Sequence, residues 1–352
     1  MEGAQTAGTP RSSEEDRALD RADSPGGPTW NPRALAPRVT SLLDPGGWTL
    51  LGAFVLMIVI FGALRPDTFL VWATVKDIMN QSAVPAILVA GLTFVLAAGE
   101  FDLSFTAILG MGSGLVVVLM SRASFAPAPA IIVMIAAALL TGLTIGALVA
   151  LTRASSFIVT LAIGSALTGL ELALTNDQTI YSGIPAGYGG IATNRLLGLE
   201  QQIWIAAAVA LLCGVLLHGS RFGRHVTATG ANPTAAFLAG VRVRRVRVLC
   251  FVIVALCAAV AAVLFTSQSV SYIPGTSAGF LLSSYAAVFL GAAAGRGGGR
   301  FTVGGAVFGV VWFTTLDTGL TYLNAAAWST NVVQGIALTI AVLVAARGRQ
   351  QP

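Results

Sequence analysis

The chain has 352 residues, of which 55% are hydrophobic and only 10% charged, and its formal net charge is +5. A soluble domain carries roughly 25% charged residues, so this composition excludes an ordinary soluble protein. The apolar residues fall in blocks of about twenty, the length at which a helix crosses a hydrocarbon core, and the sequence therefore predicts an all-α, polytopic integral membrane helix bundle.

The first 45 residues differ from the rest of the chain. They contain five arginines and seven acidic residues, with Ser, Pro and Gly throughout and no apolar block. Such a segment cannot bury enough apolar surface to fold, so residues 1–45 are predicted to be a disordered cytoplasmic tail and residues 46–347 a transmembrane domain. The tail is too long and too acidic for a signal peptide, and no cleavage is expected.

About ten transmembrane helices are predicted after the tail. Because ten is even, both termini lie on one side of the membrane. With that side cytoplasmic, 16 basic residues lie inside and 4 outside, a bias that predicts cytoplasmic termini. The predicted spans are 48–64, 83–98, 103–121, 128–150, 157–175, 202–218, 247–266, 280–294, 301–320 and 327–346.

Residue types argue against several chemistries. A Walker A loop needs a lysine after its glycines, and Lys76, the only lysine, has no such context, so this loop is excluded. The arginines lie in short loops between apolar blocks, where they orient helices in the membrane, so nucleic-acid binding is not predicted. The three cysteines lie in or beside apolar segments and are read as small hydrophobic residues. His218 and His225 have no nearby Cys or carboxylate, so no metal site is predicted. Residues 275–279 match the Gly-x-Ser-x-Gly pattern of hydrolases, but both histidines are predicted on the opposite side of the membrane, so no catalytic residue is assigned.

Two connections between spans are long enough to hold structure of their own. Residues 176–201 are predicted outside and suit a short re-entrant or interfacial element. Residues 219–246 form a cytoplasmic loop, in which Asn232 suits a helix N-cap, Pro233 the first helical position and Gly240 the C-terminal stop. The loop is therefore predicted to contain a short helix capped at both ends.

A helix of about seven residues cannot hold itself together in water, so some surface must support it. One possibility is the membrane interface, where the arginines that follow the helix would contact anionic headgroups. The other is a groove on a cytosolic partner, into which Phe237 and Leu238 would insert. The residues alone favour neither.

The cytoplasmic loop resembles that of ribose-type sugar ABC transporter permeases, in the branched-chain amino acid/sugar permease superfamily. The resemblance covers roughly residues 75–345. After Ser104 the family commonly has Val-Gly where this chain has Phe105-Thr106, and the turn from Arg296 to Arg300 is more basic than usual. Because of these two departures, the identity of the solute is not predicted. The motifs that carry the resemblance are Phe222-Gly223-Arg224, Gly230-x-Asn232-Pro233-x-Ala235-Ala236-x-x-x-Gly240-Val241-x-Val243-x-Arg245-Val246, and the stretches 99–104, 156–161 and 291–309.

The resemblance implies the permease subunit of a bacterial ABC importer in the cytoplasmic (inner) membrane, which moves a sugar or sugar-like solute inward. It implies cytosolic ABC ATPase subunits, a second permease copy or homologue, an extracytoplasmic solute-binding protein and the lipid bilayer as partners. ATP is then bound by the partner subunits, and no cofactor is expected in this chain. The short helix becomes a coupling helix seated on the ATPase, and the implied coupling residues are Gly230, Asn232, Pro233, Ala235, Ala236, Phe237, Leu238, Gly240 and Arg245.

Polar side chains at membrane depth are candidates for the translocation pathway or its gating, because ionisable groups are costly there. Glu100 and Asp102 either serve the pathway or are solvated or cap a helix N-terminus. Asn331 and Gln334 share one face of the last span and bond either the solute or a neighbouring helix. The predicted pathway or gating residues are Glu100, Asp102, Ser104, Phe157, Thr160, Asn331 and Gln334.

Two alternatives remain open at this stage. A permease of the same family for nucleosides, cyclitols or a furanosyl signal molecule would share all these features. A stand-alone ion-coupled carrier would have no reason to keep the capped cytoplasmic helix, and its proton relay would need more than Glu171 and Asp317, the two carboxylates deep within spans.

Overall fold

The computed structural model describes residues 45–152, 154–294, 299–326, 328–329, 332–336 and 339. Seven of the described helices are long and apolar enough to cross a membrane, and two shorter helices are also apolar. The predicted all-α membrane fold is confirmed. The tail, Asn331 and most of the tenth predicted span lie outside the described residues, so the number of spans and the side of the termini remain predictions.

The helices follow the predicted spans closely, with short elements between them. The elements in chain order are α1 (Pro45–Leu64), α2 (Pro66–Phe69), α3 (Trp72–Ala97), α4 (Phe105–Ser121), α5 (Pro127–Leu151), α6 (Ser156–Thr175), α7 (Gly190–Thr193), β1 (Arg195–Leu196), β2 (Leu199–Glu200), α8 (Gln201–His218), α9 (Arg221–Ala231), α10 (Pro233–Leu238), α11 (Val243–Ser269), α12 (Phe280–Ala294) and α13 (Val303–Tyr322).

One predicted boundary is wrong. The second span was expected to start at residue 83, but α3 starts at Trp72 and continues through Pro85. The polar stretch from Lys76 to Gln81 has the composition of a loop, yet it forms the first turns of the helix. The hydroxyl of Thr74 fixes this end by donating to the carbonyl of Thr68 at 2.6 Å.

Helix α11 lies at the centre of the bundle and packs against α3, α4 and α5. Glycines bring the helices close: a Cβ at Gly91 of α3 would lie 2.8 Å from the Cβ of Cys257. On α5, a Cβ at Gly142 would lie 2.6 Å from the Cβ of Ala255, and one at Gly146 would lie 2.8 Å from the Cα of Val248. Small residues one turn apart allow such crossings without a side chain between the backbones.

The long connection between α6 and α8 has structure of its own, as predicted. It contains a 3₁₀ turn at Ala186–Tyr188, α7 and the antiparallel hairpin β1–β2. Tyr188 is buried, and its hydroxyl lies 2.6 Å from that of Thr266 on α11. Burial raises the pKa of Tyr188 to about 12, so its phenol keeps its proton. The hydroxyl of Ser267 donates to the carbonyl of Tyr188 at 2.7 Å, which holds the connection on the end of α11.

Candidate functional site

The predicted cap at the start of the loop helix is present. Asn232 ends α9 and begins α10, and its side-chain Oδ1 accepts the backbone N–H of Ala235 at 3.0 Å. Pro233 occupies the first helical position, where its fixed φ suits the helix and its missing N–H costs no bond. The start of α10 is therefore fixed by two adjacent residues.

The predicted stop is also present, and α10 is one residue shorter than expected. Gly240 has a φ of +84°, in the left-handed region. The N–H of Gly240 donates to the carbonyl of Phe237 at 2.9 Å, and that of Val241 donates to the carbonyl of Ala236 at 3.0 Å. These two bonds form a Schellman motif, which ends a helix most readily when glycine takes the left-handed position.

Helix α10 turns its large apolar side chains away from the chain. Phe237 is 68% exposed and Leu238 is 79% exposed, whereas Ala236 is buried. Ala235 and Arg245, the latter in the first turn of α11, are also exposed. All three side chains are exposed on the outside of the bundle, and we call Phe237, Leu238 and Arg245 the coupling surface, after the role that the sequence predicts for them.

Helix α9 joins the coupling surface to the bundle. A Cβ at Gly230 would overlap the carbonyl oxygen of Ala97, and would lie 3.0 Å from the carbonyl carbon, so the end of α9 rests directly on the end of α3. The ring of Phe222 stacks on that of Phe94, with centroids 6.2 Å apart. We call the end of the bundle that carries α9 and α10 the inner end, and the opposite end the outer end.

Glu100 links the end of α3 to the start of α11. Its Oε1 lies 2.7 Å from Nε of Arg247, and both side chains are largely shielded from solvent. This pair connects the segment after α3 with α11, the helix that carries Arg245. Glu100 also lines an inner cavity of about 900 Å³, together with Gly230, Arg224, Arg300 and Phe289.

Asp102 and Ser104 are buried between helices. Oδ1 of Asp102 accepts the backbone N–H and the hydroxyl of Ser104, at 2.7 and 2.5 Å. The backbone of Asp102 also exchanges two hydrogen bonds with the hydroxyl of Tyr285 on α12. Neither residue is part of the lining of the two cavities described here. The carboxylate sits beside the first turn of α4, the position that a helix N-terminus favours for a negative charge.

Thr160 and Phe157 lie near the start of α6 and have different surroundings. Thr160 is buried, and its Oγ1 accepts the N–H of Leu103 at 3.0 Å. Phe157 is exposed at the surface of the chain. Thr160 therefore holds the link between α3 and α4, as does Ser156, whose hydroxyl accepts the N–H of Phe101 at 3.1 Å.

Gln334 lines an outer cavity of about 830 Å³ between the outer halves of α3, α12 and α13. Asp317 of α13 lines the same cavity, as do Gln81 of α3 and Ser283 of α12. The structure thus places Gln334 at a solute-sized space, whereas its predicted neighbour Asn331 lies outside the described residues.

The outer cavity closes where α12 and α13 cross. A Cβ at Gly309 would lie 2.7 Å from the carbonyl carbon of Ala287, and one at Gly291 would lie 2.6 Å from the backbone nitrogen of Ala306. Ala287 and Val310 are among the residues that line the cavity. The two helices are therefore in backbone contact towards the inner end and are separated towards the outer end.

Glu171 ties down a segment at the outer end. Its Oε1 accepts the hydroxyl of Tyr272 at 2.6 Å and the backbone N–H of Gly275 at 2.7 Å. Glu171 and Ser277 are both buried, and both approach Gly110, where a Cβ would overlap them. These contacts fix the turn at Thr276–Gly279 that leads into α12.

Sequence reasoning named Gln334 as a pathway residue and Asp317 only as a deep carboxylate, and it did not name the remaining polar residues of the outer cavity. A signal for them is present in α13, where Thr314, Asp317 and Thr321 recur every three to four residues and so share one helix face. Gln81 could not be found in this way, because the stretch around it has the composition of a loop. Among the described residues, no group of three His, Cys, Asp or Glu side chains could hold a metal ion.

Most of the chain is similar to known permease sequences. Residues 74–343 match the family model described as branched-chain amino acid transport system / permease component. The chain is 33% identical over 296 residues to the ribose import permease protein of Bacillus subtilis (84% of this chain and 90% of the relative). It is 28% identical over 299 residues to that of Escherichia coli K12, covering 83% and 91% of the two chains. The autoinducer 2 import system permease protein of Salmonella choleraesuis is 31% identical over 297 residues, 84% of each chain. No solved structure gives a significant match.

Proposed function

Because the chain belongs to the branched-chain amino acid transport system / permease component family, we propose that it is the permease subunit of a bacterial ABC importer for a sugar or sugar-like solute. The observation that carries the proposal is the similarity to ribose import permeases along more than four fifths of the chain. The helices of spanning length agree with a multi-pass protein of the inner membrane. In this proposal the inner end faces the cytoplasm and the outer end faces the solute-binding protein.

The coupling surface is the proposed contact with a cytosolic ABC ATPase subunit. Two apolar side chains on a short, doubly capped helix are exposed to water in the isolated chain. A groove on a partner would bury them, which is how amphipathic helices commonly bind. The arginines from Arg242 to Arg245 would then face the same partner or the adjoining headgroups.

Movement of the coupling surface would be transmitted to the bundle through two direct contacts. Helix α9 rests on the end of α3 at Gly230, and the pair of Glu100 and Arg247 joins that end to α11. A displacement driven by ATP binding in the partner subunits would therefore reach the helices around the inner cavity. ATP itself is proposed to bind only to those partners, and a second permease copy or homologue is proposed to complete the transporter.

A second candidate solute is a furanosyl signal molecule. The similarity to an autoinducer 2 import permease over 84% of each chain favours it. The two candidates predict different results in a competition assay: unlabelled ribose should abolish uptake of labelled ribose in the first case, and leave uptake of the signal molecule unaffected in the second.

The class of transporter is tested by purifying the tagged chain from its native membrane in mild detergent and identifying co-purifying proteins by mass spectrometry. We expect an ABC ATPase and a solute-binding protein. Leu238→Asp should reduce ATPase recovery at least tenfold, because a charge would replace the most exposed apolar side chain of α10. Leu197→Asp is the matched control: Leu197 is equally exposed, but lies on the hairpin between α7 and α8.

The two parts of the proposal fail separately in this experiment. If the wild-type chain recovers no ATPase under conditions that keep a known importer intact, the importer class is wrong and a stand-alone carrier is favoured. If the wild-type chain and Leu238→Asp recover equal amounts, the importer class stands and the coupling surface is wrong.

A further inference from the structure

The hairpin β1–β2 carries an apolar residue where its turn favours a polar one. Its strands pair at Leu196 and Leu199, so Leu197 and Gly198 form a two-residue turn. Both turn residues have a positive φ, +53° for Leu197 and +81° for Gly198, which is the pattern of a type I′ turn. This turn prefers Asn-Gly, because asparagine adopts the left-handed region several-fold more readily than other non-glycine residues. Leucine at this position therefore strains the backbone.

The same leucine is almost fully exposed. Leu197 is 82% exposed, and no other large apolar side chain among the described residues is more exposed. Its neighbour Leu196 is 55% exposed. An apolar side chain in water makes few contacts within the chain that could offset a strained backbone, and such strain commonly marks a functional contact. The tip of the hairpin thus points to a partner outside the chain.

A hydrogen bond holds this tip beside the first turn of α8. The indole Nε1 of Trp204, the fourth residue of α8, donates to the carbonyl of Leu196 at 3.0 Å. Because Leu196 directly precedes the turn, this bond folds the hairpin along the side of α8 instead of away from it. The N–H of Gln201, at the start of α8, donates to the carbonyl of Asn194 at 2.7 Å and joins the base of the hairpin to the helix.

Trp204 begins an exposed apolar face of α8. Further along the helix, Leu211 is 70% exposed and Val215 is 60% exposed, and the spacing of seven and then four residues places all three on one side. Since α8 has spanning length, an uncovered apolar face suits the hydrocarbon of the bilayer. Trp204 lies at the outer end of this face, and tryptophan is enriched at the boundary between membrane and water.

The length of α8 places the hairpin at that boundary. The 18 residues of α8 rise about 27 Å, which is less than the roughly 30 Å of a hydrocarbon core. Residues that flank a short span commonly make up such a difference. Leu196 and Leu197 extend the exposed face of α8 at its outer end, and the exposed Arg195 beside them supplies a guanidinium group for headgroup phosphates.

We propose that the hairpin β1–β2 is an anchor in the outer leaflet of the membrane, with the side chains of Leu196 and Leu197 inserted among the lipids. The partner is the lipid surface, and burial of Leu197 there offsets its strained backbone. This is the interfacial alternative predicted for residues 176–201. The same connection is bonded to the end of α11 through Ser267, so the anchor fixes the outer end of the bundle at the membrane surface. The inference depends on the chain spanning the membrane, and is independent of its solute and its ATPase.

The test places a nitroxide label at Leu197→Cys in the full-length chain, recovered from its native membrane and reconstituted in liposomes of phosphatidylethanolamine and phosphatidylglycerol. The three native cysteines are buried, so the label attaches to the new one. Collisions with oxygen, which concentrates in lipid, are compared with collisions with a water-soluble nickel chelate. The ratio of oxygen to nickel collisions should be at least fivefold higher than at Asp177→Cys, an exposed position in the same connection. It should lie within threefold of the ratio at Leu211→Cys, on the exposed face of α8.

A second set of variants separates the anchor from the turn. The label is placed at Leu196→Cys, and Leu197 is replaced by asparagine or methionine. Leu197→Asn supplies the residue that the turn prefers, so the hairpin should stay folded and exchange of the Gln201 N–H should not accelerate. The collision ratio should nevertheless fall at least threefold, because the apolar tip is lost. Leu197→Met is the matched control, since it keeps an apolar side chain of similar volume and should keep the ratio.

Every other outcome overturns the inference. If the nickel chelate reaches Leu197→Cys as readily as Asp177→Cys, the tip lies in water. If it does so only until the solute-binding protein is added, the hairpin is a docking site for that protein. If the label is shielded from both reagents, a protein surface such as a second copy of the chain covers it. Equal ratios in Leu197→Asn and Leu197→Met would show that Leu197 does not hold the hairpin in lipid. None of these results bears on the importer class, because the measurement needs neither transport nor ATP.

Discussion

Replacing Gly240 with valine tests the coupling surface through the backbone alone. A Cβ at Gly240 would meet no atom within 4 Å, so the new side chain causes no collision with the rest of the protein. The φ of +84° is the obstacle, because the left-handed region costs an L-residue roughly 1–2 kcal/mol and a β-branched residue is an outlier there. A change of that size lowers the ratio of native to non-native turn about 5- to 30-fold.

The expected result is loss of coupling with little loss of protein. In the assembled transporter, Gly240→Val should raise the ATP hydrolysed per solute delivered, by at most about 30-fold, while its abundance in the membrane stays near the wild-type value. Gly240→Asn is the matched control, since asparagine adopts the left-handed region several-fold more readily than other non-glycine residues. It should keep most of the wild-type ratio.

Hydrogen exchange gives an independent measurement of the same turn. The N–H of Val241 bonds to the carbonyl of Ala236 only while Gly240 is left-handed, so its exchange should accelerate in Gly240→Val and change little in Gly240→Asn. The reasoning is refuted if the valine variant, at wild-type abundance, couples normally although Val241 exchanges faster. The turn would then be a structural end to α10 with no part in coupling.

Two further predictions concern packing at the two ends of the bundle. Gly230→Ala should destabilise the purified protein by about 1–3 kcal/mol, because a Cβ would overlap the carbonyl of Ala97. The control is Gly214→Ala, whose new Cβ would meet no atom within 4 Å and which should be neutral. Equal thermal midpoints for the two variants would contradict this packing. Glu171→Ala should speed exchange of the Gly275 N–H, because its acceptor is lost. Glu171→Gln keeps an acceptor oxygen and should leave the exchange rate near the wild-type value. Wild-type exchange in Glu171→Ala would show that this side chain does not hold the segment.

Features fixed by a few adjacent residues could be predicted from the sequence. Asn232, Pro233 and Gly240 determine the two ends of α10 through local hydrogen bonds and a left-handed turn, so their residue types are sufficient. The spans are predictable for a similar reason, since each apolar block must satisfy its own backbone in lipid and can do so only as a helix. The start of α3 was missed because the lipid constraint does not apply to the polar turns from Lys76 to Gln81.

Features that depend on contacts between distant parts of the chain could not be predicted. Asp102 was recognised as a candidate pathway residue or helix cap, but its bonds to Tyr285 join positions 183 residues apart. The outer cavity likewise needs α3 to lie beside α12 and α13, which no local pattern specifies. Gln334 was named with two possible roles, and only the packing of these helices brings it to the same space as Asp317.

The two cavities give α12 a central place in the proposed transport cycle. Ala287 lines the outer cavity and Phe289 the inner one. Two positions along a helix differ by about 200° around its axis, so α12 separates the two spaces. Its contact with α13 includes close backbone approaches at Gly291 and Gly309, which residues without a bulky side chain permit. The hydroxyl of Tyr285 on α12 also bonds to the backbone of Asp102, so α12 contacts both the base of the outer cavity and the link between α3 and α4.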